Sequence, residues 1–364
     1  MFAGRVGGAE QAFYNLLRGF CAIGVRFTLL CSRTKNLDPT FLQDLVAARI
    51  PIIANNSRHR RFISEQISCL TPRIHSDAVL FPNYFTPPLV PRRMGRVVTV
   101  IHDFLYAEHW NVMSGARREW QRMSYWLTYS RADVVVVPSD FVRERASELY
   151  GWRAREKTVT IPIPISWDRF DEASVDAPFE GRPYILTVAA HYPHKNLGVL
   201  IRAFARVRRQ FPDLLLVMSG QLSTNLLGIG DRTNHVSNLI AELDLESAAI
   251  ATGYLDDARL GNLYRHAALF AFPSLFEGFG MPPVEALGFG LPTLTTQRAS
   301  LPEVTMGAAL YLGDPTSVDE WVDKLTYMLR NLSACRPEQT IVTKIRERYS
   351  RNRIAAIYER TLLG

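Results

Sequence analysis

The residues best suited to chemistry lie in one stretch, Phe272 to Pro292, reading FPSLFEGFGMPPVEALGFGLP. An apolar run, Ala267 to Phe272, leads into it. Two carboxylates, Glu277 and Glu285, stand with seven residues between them, among them Gly278, Gly280 and the pair Pro282-Pro283. Proline suits the first position of a helix, because the N–H it lacks would have no partner there. The stretch therefore predicts a strand, a glycine loop and a helix that starts at about Pro283, with Glu285 in its first turn. Backbone N–H groups from Phe279 through Gly280 and Met281 to Val284 would point into a cleft. A helix start carries roughly half a unit of positive charge and attracts anions. A phosphate or a hydroxyl-rich ligand fits it: Glu285 could accept from a ribose diol, and Glu277 from sugar hydroxyls. Singly, each has a plainer use, Glu277 as a solvated loop residue and Glu285 as a complement to the helix dipole. The frame of strand, glycines, prolines and helix favours the ligand.

Other candidates sit at predicted strand ends. VVTVIHDF places His102 and Asp103 at a strand tip. The histidine could touch a transferred sugar, and Asp103 could fix its tautomer or bind an acceptor; the plainer pair is a packed His and a capping Asp. ILTVAAHYPHKN predicts a strand ending near Ala190, then a polar loop with His191, His194 and Lys195 before a helix from about Asn196. A lysine is a compact charge partner for a diphosphate. LLLVMSG ends at Ser219-Gly220, and IATGYL ends a strand at Gly253-Tyr254. At the other end of the chain, Gly7-Gly8-Ala9-Glu10 opens an amphipathic helix with Ala12, Phe13, Leu16, Leu17 and Phe20 on one face. A glycine loop before a helix usually follows a strand and lets the backbone approach a phosphate. Almost nothing precedes this one.

The segment EGFGMPPVEAL resembles the donor-binding signature of retaining glycosyltransferases with the GT-B fold, the large family 4, and the resemblance extends over nearly the whole chain. It implies an α/β fold of two Rossmann-like α/β/α domains facing across a cleft, the second binding a nucleotide-sugar donor. Lys195 resembles the family lysine on the donor phosphates. The family's similar "HD" lies beside the donor sugar, which makes His102, Asp103 and Glu277 the expected catalytic group. Gly7, Gly8, His191, Lys195, Gly220, Gly253, Tyr254, Phe279, Gly280, Met281 and Glu285 are the expected donor-binding set, with the Gly253-Tyr254 backbone against the base. Two departures stand out. The family has a strand before its GGAE-like loop, so this chain is expected to lack the first strand. Many relatives carry an arginine where this chain has Ala190-His191, which throws charge neutralisation onto Lys195, in part onto His191, and onto the helix dipole.

The elements that must hold these residues alternate along the chain. Strand-like runs at Phe27–Cys31, Ile50–Ala54, Asp77–Phe81, Val97–His102, Asp133–Pro138 and Thr158–Ile163 are separated by helical stretches. Such βαβ alternation predicts a parallel sheet covered on both faces, with ligands at the strands' C-terminal ends. Two prolines in Ile161-Pro-Ile-Pro-Ile165 remove ladder donors. The expected division is an N-terminal acceptor-binding domain, 1–165; a linker, 166–183; a donor-binding domain, 184–345; and a C-terminal helix, 346–364, that by the family pattern crosses back to the first domain, with Tyr349 near its start.

A chain of 364 residues with 47% hydrophobic residues can build two cores. Its net charge of +7 is uneven. Residues 1–165 carry 22 Lys+Arg against 13 Asp+Glu, or +9, and the remainder carries 20 against 22, or −2. The basic half suits an anionic partner such as a membrane leaflet. So does Ala107 to Arg131, where Trp110, Trp120, Tyr125 and Trp126 interleave with Arg117, Arg118 and Arg122. Nucleic acid is not expected, since no recognisable binding motif accompanies the charge. Cys21, Cys31, Cys69 and Cys335 have no zinc spacing and suit reduced thiols. With no membrane-length apolar run and no signal peptide, a cytoplasmic protein is expected, peripheral on the inner face of the plasma membrane.

The expected activity is transfer of a sugar, with mannose favoured, from a GDP- or UDP-linked donor to a glycan or lipid-linked acceptor, with retention. No cofactor is expected, and no metal, because no Asp-x-Asp motif or ligand cluster appears. Alternatives are a GT-B sugar-nucleotide epimerase or hydrolase, and a non-catalytic nucleotide-sugar-binding protein. A Rossmann dehydrogenase fits poorly, because no G-x-G-x-x-G follows a strand with an acid about twenty residues on.

Overall fold

The computed structural model describes residues 7–31, 39–54, 66, 69–70, 75–83, 85–108, 114–171, 176–220 and 233–364. The expected absence of a first strand concerns residues 1–6, and that, like Trp110, lies outside the described residues. The chain divides into two compact units. One comprises Met1–Phe104, Ala116–Ser166 and Arg348–Gly364; the other comprises Leu105–Gly115 and Trp167–Glu347.

In the first unit all six predicted strands form; five are shorter than predicted, and the fourth, predicted as Val97–His102, starts one residue earlier and ends two earlier. β1 (Leu29–Cys31) and β2 (Ile52–Ala54) make a parallel pair. β3 (Ala78–Phe81), β4 (Arg96–Val100), β5 (Val134–Val137) and β6 (Thr158–Thr160) make a parallel sheet in that order. β5 is four consecutive valines, all buried. A β-branched run covered on both faces is what a central parallel strand requires. The helix Gly8–Ile23 buries Ala12, Leu16, Leu17 and Phe20 as predicted, together with Tyr14 and Asn15. The fully buried Asn15 donates to the Pro164 carbonyl at 2.9 Å. The C-terminal helix Arg351–Leu363 packs on this helix at Gly19, where a Cβ would come 2.7 Å from the Arg351 carbonyl oxygen and 2.8 Å from the Ala355 Cβ. Ile165 and Ser350 form a parallel bridge, with Ile165 N donating to the Tyr349 carbonyl and Arg351 N to that of Ile165.

The second unit holds a six-stranded parallel sheet: β7 (Tyr184–Val188), β8 (Leu215–Ser219), β9 (Ala249–Gly253), β10 (Leu269–Phe272), β11 (Thr293–Thr296) and β12 (Leu310–Leu312). Their spatial order is β12-β11-β10-β7-β8-β9. The chain starts in the middle at β7, builds outward to β9, then returns to β10 on the other side. This is a doubly wound sheet, and its switch point lies between β7 and β10. Helices such as Leu197–Val207 and Val318–Arg330 cover it, burying Leu200, Ile201, Phe204, Trp321 and Leu325. Residues 166–183, expected as a linker, are partly absorbed here. The turn Trp167–Phe170 buries Phe170 in this unit's core. Among the described residues no helix is long and apolar enough to cross a membrane.

Candidate functional site

The switch point is where two loops must diverge, and the strongest sequence candidates sit on those loops. After β7 a short turn, Pro193–Lys195, carries Lys195; after β10 a loop carries Glu277. The two side chains meet in an ion pair of 2.5 Å, with side-chain exposures of 16% and 12%. Lys195 Nζ also stands 5.6 Å from the Phe272 ring centroid. Backbone ties fix both loops. Leu275 N donates to the His194 carbonyl at 2.8 Å, and Ser300 Oγ, at 3.0 Å from each, lies on the carbonyls of Glu277 and Phe279. An ammonium has three donors. With one on Glu277, two remain for an approaching anion.

The helix after this loop starts earlier than predicted. It runs Met281–Gly288, with Gly280 as N-cap at φ +86°. Pro282 and Pro283 are its second and third residues rather than its start. Proline fits there too, because no first-turn N–H has an intrahelical acceptor. Glu285 is consequently in the second turn. A Cβ on Gly280 would strike Leu301 Cδ2 at 2.8 Å, so both its φ and its neighbours demand glycine. Because prolines lack N–H groups and the Val284 N–H has the Gly280 carbonyl as its intrahelical acceptor, the free donors of this helix start are those of Gly280 and Met281.

Glu285 is 2% exposed and its carboxylate is engaged within the chain. Oε1 accepts from Arg169 Nη2 and Oε2 from the Tyr264 hydroxyl at 2.9 Å. Arg169 also donates to Asp257 at 3.0 Å and lies 4.2 Å from the Phe170 ring centroid. Burial works against the charge on Arg169, but Glu285, Asp257 and Tyr264 outweigh burial and hold it firmly cationic. Burial, reinforced by Glu285, pushes the Tyr264 hydroxyl well above its ordinary range, so it stays a donor. Tyr254, at the end of β9, lies within electrostatic reach of Arg169 and is 57% exposed. Gly288 closes the same helix against the Trp167 ring, with a would-be Cβ 2.3 Å from it.

Gly253 takes φ +71° at the β9 end. Gly220 ends β8 at φ +142°, where a Cβ would lie 2.1 Å from the Ala189 carbonyl oxygen. This close approach of two strand ends needs a bare backbone. His191, just past β7, is 6% exposed, and neither ring nitrogen has a hydrogen-bond partner among the described residues. Burial lowers its pKa, so it is neutral near pH 7.

Three other expected residue sets lie in the first unit. His102 Nε2 donates to the Pro82 carbonyl at 3.0 Å, which places its proton on that nitrogen. The Asp103 carbonyl accepts from the Tyr125 hydroxyl at 3.1 Å. His102 faces an apolar crevice at the C-terminal ends of the sheet, lined also by Phe13, Leu16, Pro138, Ile163 and Tyr358. Gly7 is the N-cap of the first helix, and a Cβ on Gly8 would meet open space.

The profile of Glycosyl transferases group 1 matches residues 168–348, and that of Glycosyltransferase Family 4 matches residues 6–169. The chain belongs to this glycosyltransferase family. It is 27% identical over 249 residues to the O-antigen chain mannosyltransferase B of Escherichia coli, an alignment that covers 65% of this chain and 61% of that protein. The match thus spans less than two thirds of that relative's length. The fold is shared with sucrose-phosphate synthase from Thermosynechococcus elongatus, at TM-score 0.76 and 17% identity, over 98% of this chain and 93% of that one. It is shared equally with HepE from Anabaena, solved in complex with UDP-glucose, at TM-score 0.73 and 16% identity, over 100% and 97% of the two chains. Both likenesses establish the GT-B fold.

Within this family member, sequence reasoning missed Arg169, Asp257, Tyr264 and Ser300. Arg169 and Ser300 carry no motif. Tyr264 reads as one of the core positions of an amphipathic helix with Leu260 and Leu263, and its hydroxyl gives no sequence signal.

Proposed function

We propose that this glycosyltransferase moves a hexose, mannose before others, from a nucleoside diphosphate to a hydroxyl of a glycan or lipid-linked acceptor. The observation that carries this reading is the Lys195–Glu277 pair beside the Gly280 helix start, at the switch point of a doubly wound sheet. Open α/β sheets bind their ligands in such a crevice. A diphosphate there gains the two remaining Lys195 donors and the N–H groups of Gly280 and Met281. Glu277, released from part of its bond to Lys195, accepts from a sugar hydroxyl. The exposed ring of Tyr254 offers a face to the base, and Glu285, oriented by Arg169 and Tyr264, keeps acceptor capacity for a ribose diol. His191, neutral and buried, can donate one further hydrogen bond to the phosphates. Mannose is favoured by the similar O-antigen mannosyltransferase, which also suggests a role in surface polysaccharide synthesis.

In the chemical step the bond from the anomeric carbon to the diphosphate oxygen breaks, and a bond to the acceptor oxygen forms on the same face. The acceptor proton passes to the departing phosphate oxygen, so configuration is retained and no side chain attacks. Negative charge grows on the diphosphate, and fixed donors aimed at it lower the barrier. Lys195 and the helix start supply that positive charge, so the reading calls for no metal or cofactor.

The test is a thermal-shift screen of GDP-mannose, UDP-glucose, UDP-N-acetylglucosamine and dTDP-rhamnose, followed by NMR of the product with the donor that binds. One donor is expected to raise the melting temperature and to yield a glycoside with the donor's anomeric configuration. No shift with any donor would sink the assignment. Binding without turnover on any acceptor would leave a sugar-nucleotide-binding protein, and an altered free sugar nucleotide would indicate an epimerase.

A further inference from the structure

The helix Gly115–Arg131 in the first unit is inverted with respect to an ordinary surface helix. Its buried positions are Ser124, Tyr125, Thr128 and Tyr129. Their polar atoms are satisfied inside: Ser124 Oγ donates to the Trp120 carbonyl at 2.8 Å, Thr128 Oγ1 accepts from Thr86 N at 3.0 Å, and the Tyr125 hydroxyl reaches Asp103. Its outward positions hold the apolar bulk. Trp120, Met123 and Trp126 are 44%, 62% and 59% exposed. Spaced by three, they share one arc of the helix. Another exposed tryptophan follows the next helix, Asp140–Tyr150. Tyr150 docks on the first helix, its ring 5.1 Å from that of Tyr129 and its hydroxyl 3.3 Å from the Arg122 carbonyl. Two residues on, Trp152 is 66% exposed, with Arg153 over its ring.

Arginines outnumber acids on this helix. Arg117, Arg118, Arg122 and Arg131 oppose Glu119 alone, a net +3 on 17 residues. Glu119 is itself paired with Arg122 at 2.9 Å. Exposed tryptophans ringed by arginines match the boundary of a bilayer, where an indole sits at headgroup depth and guanidinium groups meet lipid phosphates. A second copy of the chain fits less well, since two such faces would bring like charges together.

We propose that the Trp120–Met123–Trp126 face docks the protein on an anionic membrane surface. The seat is peripheral: the indoles and the Met123 side chain enter the headgroup layer, and Arg117 and Arg118 lie over anionic headgroups. The assignment is independent of the donor site.

Flotation of the full chain with vesicles tests it. With phosphatidylcholine and phosphatidylglycerol together, binding is expected to exceed that with phosphatidylcholine alone by roughly tenfold and to fall with added salt. The triple variant Trp120→Ser, Met123→Ser, Trp126→Ser is expected to lose the binding by a similar factor while keeping its donor-induced thermal shift. Should that variant fail to fold, Arg117→Glu with Arg118→Glu leaves the apolar residues in place and is expected to abolish the preference for anionic vesicles. No flotation with either vesicle, or flotation that survives in a folded variant, overturns the proposal. So does a wild-type dimer in sedimentation that the triple variant abolishes while no vesicle binding is seen, which would give the face to a second copy.

Discussion

Glu285 is a tightly constrained negative charge of the candidate site. Each oxygen accepts one bond inside the protein, from Arg169 and from Tyr264, and keeps a second lone pair. Removing one member of a buried ion pair leaves the other uncompensated, at a cost of about 3–5 kcal/mol. Glu285→Ala is therefore expected to lower thermal stability and to raise the donor dissociation constant by roughly one to two orders of magnitude. Calorimetric titration checks the second effect, and unchanged affinity would count against the ribose role. Arg169→Met should destabilise in the same way, whereas Arg169→Met combined with Glu285→Gln should melt higher than Arg169→Met alone, because the fully buried carboxylate is then no longer stranded and Asp257, about a third exposed, keeps access to water. A double variant no more stable than the single would mean that the pair is not coupled. Lys195→Ala is expected to lower turnover while shifting the melting temperature little, and a wild-type rate would remove Lys195 from the chemistry. Lys195 and Glu277 were legible because the local frame around each announces a strand end. Arg169 was not, because its partners lie 88 and 116 residues further along the chain.

At the scale of elements, the strands were readable and the turns between them less so. Apolar runs such as Val134–Val137 and Leu215–Ser219 admit little besides a buried strand. The start of the helix Met281–Gly288 was misjudged by two residues, because a Pro-Pro pair fits several first-turn positions and only the left-handed Gly280 decides among them. The close fit at the far end of this helix makes Gly288→Ala a test of its seating. The new methyl would press on the Trp167 ring and should cost about 1–3 kcal/mol, read as a lower midpoint in urea. His191 adds a pH effect. Its folded pKa is below the ordinary value, so the unfolded chain binds the proton more readily. Stability should therefore fall as pH drops through the ordinary histidine range, about 6.5, towards the lower folded value. A melting profile of wild type against His191→Gln checks this: the variant should lose less stability over that interval, and parallel profiles would contradict the burial of a neutral imidazole.

For the molecule as a whole, two cores were foreseeable from length and apolar content, but the part that the linker stretch plays in one of them was not. Trp167–Phe170 reads as a linker by composition, yet Trp167 fills the space at Gly288 and Phe170 enters the second unit's core. The C-terminal helix lies in the unit formed by the chain's beginning, with Gly19 against Ala355. Gly19→Val should force these helices apart, at a cost of about 1–3 kcal/mol. Limited proteolysis should then release the C-terminal segment earlier than in wild type, and identical digestion would mean that the contact tolerates the extra bulk.

The bridge between Ile165 and Ser350 has a consequence for how the gene can be cut. The polypeptide departs and comes home at this single bridge, so residues 167–347 form a loop-out whose two ends lie close together. Closely spaced termini are what a transplantable module needs. That piece, with its own hydrophobic interior, is expected to fold when expressed by itself. Joining Ser166 to Arg348 through a few glycines should give the companion piece, and the two could then be assayed separately for nucleotide and for lipid.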